Sequence, residues 1–161
     1  IRMMMFDRKD GDKRFIEMMT DFVKSNFNKD ASTEDFKRAV EKYMTPQMDI
    51  DGNHRMDWFF NEWVYGTEVP AYHMDYSITP SGDGKATINA KITQSNVSKD
   101  FVMLVPVYAD FGKGWARLGS AQINGDSSTE LTNIKLPQVP KRLAVGAMHD
   151  VLATAIENSK K

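Results

Sequence analysis

Cysteine is absent from all 161 residues. That excludes disulfides, thiol chemistry and thiolate-bound metal, and it leaves the compartment open, because many secreted domains also lack cysteine. No apolar run approaches the roughly eighteen residues that a membrane-spanning helix needs. No long block of one charge occurs either. Twenty-one basic and 22 acidic residues leave a formal net charge of -1, so chain-wide attraction to nucleic acid or to an anionic membrane is not expected. Histidine is scarce: His54, His73 and His149 form no i,i+4 pair and no HExxH. None is assigned to a metal, since zinc needs three or four ligands. No serine stands in G-x-S-x-G, no glycine-rich loop precedes a helix, and there is no internal repeat or low-complexity segment.

What is present reads as globular. Apolar residues make up 41% and charged residues 27%, enough for one ordinary domain or two small packed units. The chain opens Ile-Arg-Met-Met-Met-Phe, with neither an initiator methionine nor a signal-peptide layout. The expectation is a chain cut from a longer one; a processed mature protein is the alternative. Met3, Met4, Met5, Met18 and Met19 form either a plastic binding surface or, as expected here, core packing against a missing neighbour.

As far as Tyr65 the apolar spacing is helical. Phe15, Met18, Met19, Phe22 and Val23 make one stripe, and Phe36, Ala39, Val40, Tyr43 and Met44 repeat it. Ser32 is placed to cap the second helix, with Asp35 three residues on as its capping-box partner. Glu34 with Arg38 and Lys37 with Glu41 stand four apart on the expected outer face, and Pro46 ends the helix. Met56, Phe59, Phe60, Trp63 and Val64 predict a third stripe, with Trp58 and Tyr65 on a second face, so this helix is expected to be covered on two sides. Gly66 suits a left-handed C-terminal position and Pro70 prevents the helix resuming.

After Pro70 the period becomes two. Tyr72, Met74, Tyr76 and Ile78 alternate with polar residues, and Ala86, Ile88, Ala90 and Ile92 follow the turn cluster Pro80–Gly84. Phe101–Tyr108 is a continuous apolar run, a strand covered on both faces whose pairing Pro106 weakens on one side. Trp115–Ile123, Thr129–Leu136 and Arg142–Val145 complete six or seven short strands, which predict an antiparallel sandwich. The tail His149–Ile156 fits a last strand or a short helix, with the helix favoured by Val151, Leu152, Ala155 and Ile156. The predicted class is α+β, with a bundle of about three helices over residues 1–68 and an antiparallel immunoglobulin-like β-sandwich over 69–161.

Two acidic features carry possible chemistry. Asp49-Ile50-Asp51-Gly52-Asn53 offers hard oxygen ligands for calcium. An EF-hand register from Asp49, however, puts glycine at the fourth position and Phe60 at the twelfth, so a tight loop with Gly and Asn at positive φ is expected instead. Glu62 is either a buried acid with a raised pKa or part of a polar edge with Asn61 and Tyr65, the latter preferred.

Several of these segments together carry a family likeness. Arg2-Met3-Met4, then Phe15 with Met18, Phe22 and Val23, then Ser32-Thr33-Glu34-Asp35-Phe36, then Trp58-Phe59-Phe60-Asn61-Glu62-Trp63-Val64-Tyr65-Gly66-Thr67-Glu68-Val69-Pro70 resemble the last part of the catalytic region of zinc aminopeptidases of the aminopeptidase N type, gluzincin metallopeptidases. There an ST-x-D-F segment caps one helix, and a W-F-x-x-W-V helix runs through G-x-P into an immunoglobulin-like sandwich. The likeness covers about residues 1 to 80; beyond that it is architectural. It implies a parent hydrolase that removes N-terminal residues from peptides, with zinc held by HExxH and a downstream glutamate. None of those residues has a counterpart here, so catalytic, cofactor and metal positions are all assigned as none and zinc is implied for the parent only. The expected role is a non-catalytic scaffold and substrate-cleft wall. Its partners would be the missing upstream catalytic region and a second copy through an exposed N-terminal helix within residues 1 to 25. The alternative is a stand-alone β-sandwich that binds a protein or peptide along Lys85–Ser95 or Phe101–Tyr108.

Overall fold

The computed structural model describes residues 1–161. The chain is α+β: four helices precede seven strands in two sheets, and it divides into two compact units, Ile1–Gly66 and Thr67–Lys161.

The first unit holds α1 (Arg2–Met5), α2 (Lys13–Ser25), α3 (Thr33–Lys42), a 3₁₀ turn (Pro46–Met48) and α4 (Asp57–Trp63). The capping box of α3 forms: Ser32 Oγ accepts from Asp35 N at 3.1 Å, and Asp35 Oδ2 accepts from Ser32 N at 2.8 Å. Two orphan donors of the first turn are thereby satisfied. Met3, Met4, Met5 and Met18 are buried, so the methionines are packing residues rather than a displayed surface. The expected surface pairs of α3 do not form. Arg38 pairs with Asp35, while Lys37 turns inward to Asp57 and Glu41 accepts from Met56 N at 3.0 Å.

A relay of aromatic rings crosses this unit. Phe22 of α2 meets Phe36 of α3 edge-on at 5.2 Å; Phe36 meets Phe60 of α4 at 6.3 Å; Phe59 contacts Phe60 at 5.8 Å and Trp58 at 5.6 Å. Trp58, on the second face of α4, is buried as expected of a helix covered on two sides, with Nε1–H donating to Met48 O at 3.0 Å. The second face of α4 is therefore covered by the 3₁₀ turn of its own unit. Val64, predicted on the buried stripe, is 46% exposed because the helix has already ended at Trp63. Gly66 also differs from expectation. Its φ is not positive; glycine is required because a Cβ would lie 2.5 Å from Glu62 O.

The second unit contains β1 (Ala71–Pro80), β2 (Ala86–Ser95), β3 (Val102–Asp110), β4 (Trp115–Asn124), β5 (Ser127–Leu136), β6 (Arg142–Val145) and β7 (Ala155–Lys160). One sheet has the order β5-β2-β1-β7 and the other β4-β3-β6. All pairs are antiparallel except β1 with β7, which run parallel. The tail is thus a strand where a helix was favoured. Ala155–Lys160 extends along the open side of β1, and that ladder outweighs a weak local helical pattern. The alternating residues Tyr72, Met74 and Tyr76 of β1 and Ala86, Ile88, Ala90 and Ile92 of β2 are buried as their period requires. Pro106 lies inside β3 opposite Ser120 of β4, and β6 pairs only from Val107 onward. Its missing donor interrupts one side of the strand and leaves the other intact.

The two sheets are tied at one margin by a side chain. Asn158 of β7 accepts from Val145 N at 2.9 Å and donates to Val145 O at 3.4 Å. Its amide so imitates one rung of a backbone ladder between β6 and β7. Fully buried Gln94 of β2 fixes the β4–β5 turn to the four-stranded sheet, accepting from Tyr72 Oη–H and donating to Gly125 O, both at 2.9 Å.

Candidate functional site

A cluster of charged and polar side chains lies on the solvent face of the four-stranded sheet. Because β1 buries Tyr72, Met74 and Tyr76, the residues between them, His73, Asp75 and Ser77, project to the opposite side. The β1–β7 register places Glu157 beside His73, and the β1–β2–β5 registers align Asp75, Lys91 and Glu130 in one row. His73 Nε2 stands 3.3 Å from Asp75 Oδ1, and its Nδ1 stands 3.4 Å from Glu157 Oε2. Lys161 Nζ is 2.8 Å from Asp75 Oδ2, and its bond to Lys161, with that to His73, holds the Asp75 carboxyl below its usual range.

Beside this relay is a shallow open groove of about 190 Å³ lined by Ser77, Asn89, Lys91, Glu130, Thr132 and Lys161. A β-bulge shapes it: two residues of β5, Thr132 and Asn133, oppose Asn89 of β2, and Asn133 takes φ 55 while its N–H donates to Asn89 Oδ1 at 2.8 Å. The cations and carboxylates of the row alternate and compensate one another. The geometry is that of a solvated cross-strand charge lattice.

Zinc does not fit the donors present. The two carboxylates next to His73 address opposite nitrogens of one ring, so the three groups cannot converge on a single ion. His54 and His149 are exposed, each in a turn at positive φ (57 and 54). No group of three or more His, Asp or Glu stands close enough to hold a metal ion.

The Asp49–Asn53 segment is a tight turn whose carboxylate is already engaged. Asp49 Oδ1 accepts from His54 N at 2.9 Å and Oδ2 lies 3.2 Å from His54 Nδ1. Positive φ falls on Gly52 and His54 rather than on Asn53, whose side chain instead accepts from Arg55 N at 2.8 Å. Glu62 and Trp63 are half-buried on α4, and Tyr65 is exposed with Oη donating to Glu34 Oε1 at 3.0 Å.

One polar pair had no signal in the sequence. The Tyr108 hydroxyl of β3 donates to Asp150 Oδ2, in the connection between β6 and β7, and Asp150 Oδ1 is buried without a partner. Burial pushes the Tyr108 hydroxyl well above its ordinary pKa, and the bond to Asp150 pushes it further. Tyrosine therefore keeps its proton and serves as the anchor of that connection. The two residues lie 42 apart in the chain, beyond any local pattern.

The named edges of the peptide-binding alternative also change. Lys85–Ser95 is essentially β2, between β5 and β1, and Phe101–Tyr108 is essentially β3, between β4 and β6, so both are interior strands. The sheet edges are β5 and β7 in one sheet and β4 and β6 in the other. Compared with models of known protein families and with curated proteins, the chain matches none.

Proposed function

We propose that this chain is the non-catalytic C-terminal portion of an aminopeptidase N-like zinc metallopeptidase. In this reading residues 1–68 are the helical end of the catalytic domain and 69–161 an immunoglobulin-like sandwich, together a scaffold and wall for a cleft built elsewhere. The observation that carries it is one segment: the W-F-F-N-E-W helix α4, followed within eight residues by β1 at Ala71, with the ST-x-D-F capping box upstream. The parent would remove N-terminal residues from peptides, zinc supplying the Lewis acid and the activated water. The residues of this chain do not fit the metal, and no step of that chemistry is assigned to them.

Two measurements test this. The coding segment upstream of Ile1 is expected to carry HExxH followed by a glutamate; its absence there refutes the proposal. The 161-residue chain incubated with zinc and amino-acid anilides is expected to be inert, and chelator-sensitive hydrolysis by the chain alone also refutes it. The second reading, a peptide-binding sheet module, is supported by the ten-residue edge strands β4 and β5. A saturable peptide partner lost on placing proline within β5 would favour it.

A further inference from the structure

The apolar surface that stays open in the helical unit is not scattered. Ile16, Val23 and Phe27 are 60%, 56% and 70% exposed. On a helix of 3.6 residues per turn, Ile16 and Val23 at i and i+7 fall within roughly 20° of one line, and Phe27 follows in the turn beyond Ser25. Ile16 and Val23 lie on the side of α2 away from buried Met18, so Val23 does not share the buried stripe on which its spacing placed it, and exposed Phe27 continues the apolar surface in the turn after the helix. Thr20 lies in the middle of the stripe, its hydroxyl donating back to Ile16 O at 2.7 Å. A two-helix pair can close over such a threonine without an unpaired donor.

One flank of the stripe carries charge of both signs: Lys13 and Glu17 are 4.0 Å apart on it, and Lys24 stands two turns beyond Glu17, near enough to Asp21 to help lower its pKa. Laid antiparallel on itself, the helix is self-complementary. With the two-fold axis near Asp21, Ile16 meets Phe27 of the second copy, Thr20 meets its Val23, and Glu17 of each copy faces Lys24 of the other. A parallel pair would instead carry the two charged flanks to opposite sides of the seam, so Glu17 and Lys24 would form no ion pair across it.

We infer that the Ile16–Val23–Phe27 face of α2 is an isologous interface, taken by a second copy of this chain in antiparallel register with two symmetric Glu17–Lys24 ion pairs at its rim. Three apolar side chains from each copy make a small interface, below the ~1,000 Å² of stable complexes, so the dimer is weak and concentration-dependent. The interface is independent of whether the chain derives from a peptidase.

Sedimentation equilibrium of the full 161-residue chain from 5 to 500 μM (a range chosen to bracket a weak constant) tests it. The expected result is a reversible monomer–dimer equilibrium that Val23→Glu abolishes. Glu17→Lys and Lys24→Glu singly are each expected to weaken the dimer about 3- to 10-fold, and the double swap to restore it. All these residues are exposed, so unchanged far-UV circular dichroism checks that the variants fold. A monomer at every concentration overturns the inference. So does a dimer that survives Val23→Glu, or a double swap no better than the single ones.

Discussion

Replacing Asp57 by Asn tests how the helical unit tolerates a buried cation. Lys37 is only 7% exposed, its stem packed in the unit with Nζ 6.0 Å from the Phe60 ring centre. The ammonium is held by Asp57 and, more distantly, by Glu34 at 3.9 Å. Asp57 is also gripped by Arg55 Nε at 2.6 Å, and it occupies the first turn of α4, where a carboxylate complements the helix dipole. Breaking a fully buried pair costs about 3–5 kcal/mol, and an exposed pair is worth about 0–1. The Asp57 side chain is 36% exposed and Glu34 remains near the ammonium, so the expected loss is about 1–2 kcal/mol.

Urea denaturation, with unchanged slope, measures that loss. Lys37→Met combined with Asp57→Asn should recover most of it, because an apolar chain of similar length removes the charge that was left unpaired. Acid adds a second signature. The bonds from Arg55 first and Lys37 second lower the Asp57 pKa from 3.8 to about 2. A carboxyl with a depressed native pKa stabilises the fold at pH values above its unfolded pKa, and that contribution disappears as pH falls from 3.8 through about 2. The Asn variant should lack this part of the acid slope. Strict additivity of the two substitutions would refute the coupling.

Four further outcomes follow from named contacts. Phe60→Ala should cost about 3–5 kcal/mol by urea denaturation, since Phe60 is 1% exposed and joins two aromatic contacts; Trp63→Ala, only half-buried, should cost less. Gly146→Ala should lower the melting temperature, because Gly146 has φ 67, strained for alanine, and a Cβ 2.3 Å from Ile156 Cδ1 would force that side chain to move. Asn158→Asp should lower the melting temperature more at pH 7 than Asn158→Ala, since a carboxylate turns an oxygen toward Val145 O where the amide donated. Calcium at millimolar concentration should leave the melting temperature unchanged, because Asp49 is already occupied by His54.

The change of period at Pro70, the turn clusters and the Ser32–Asp35 box are local features, and residues within a few positions of one another specify them. They were legible for that reason. The stripe of α4 was read less well because the helix is only seven residues long. Over two turns the pattern is too short to fix which side is covered, and the 3₁₀ turn that covers Trp58 comes from ten residues upstream. Local spacing puts Lys37 on an outer face, and Asp57, 20 residues away, turns it inward. β7 and the His73 relay depend on a parallel register across 84 residues, and no alternation within either segment announces it.

The aromatic density of Met56–Tyr72 invites reading α4 as a binding platform, and the packing argues against it. Its rings continue a relay already begun by Phe22 and Phe36, and Trp58 spends its only donor on Met48. A platform needs faces free for a partner, as in exposed aromatic clusters at interfaces. Among the large apolar side chains of the helical unit, the most exposed are Phe27, Ile16, Tyr65 and Val23. Three of these four belong to the α2 stripe, and the fourth is bonded to Glu34 through its hydroxyl. The exposed residues near the end of α4 sit past its last turn, where no helical face continues to align them. In the proposed dimer, association depends on the less conspicuous helix. Substitutions in α4 should act on stability, and substitutions at Val23 on molecular mass.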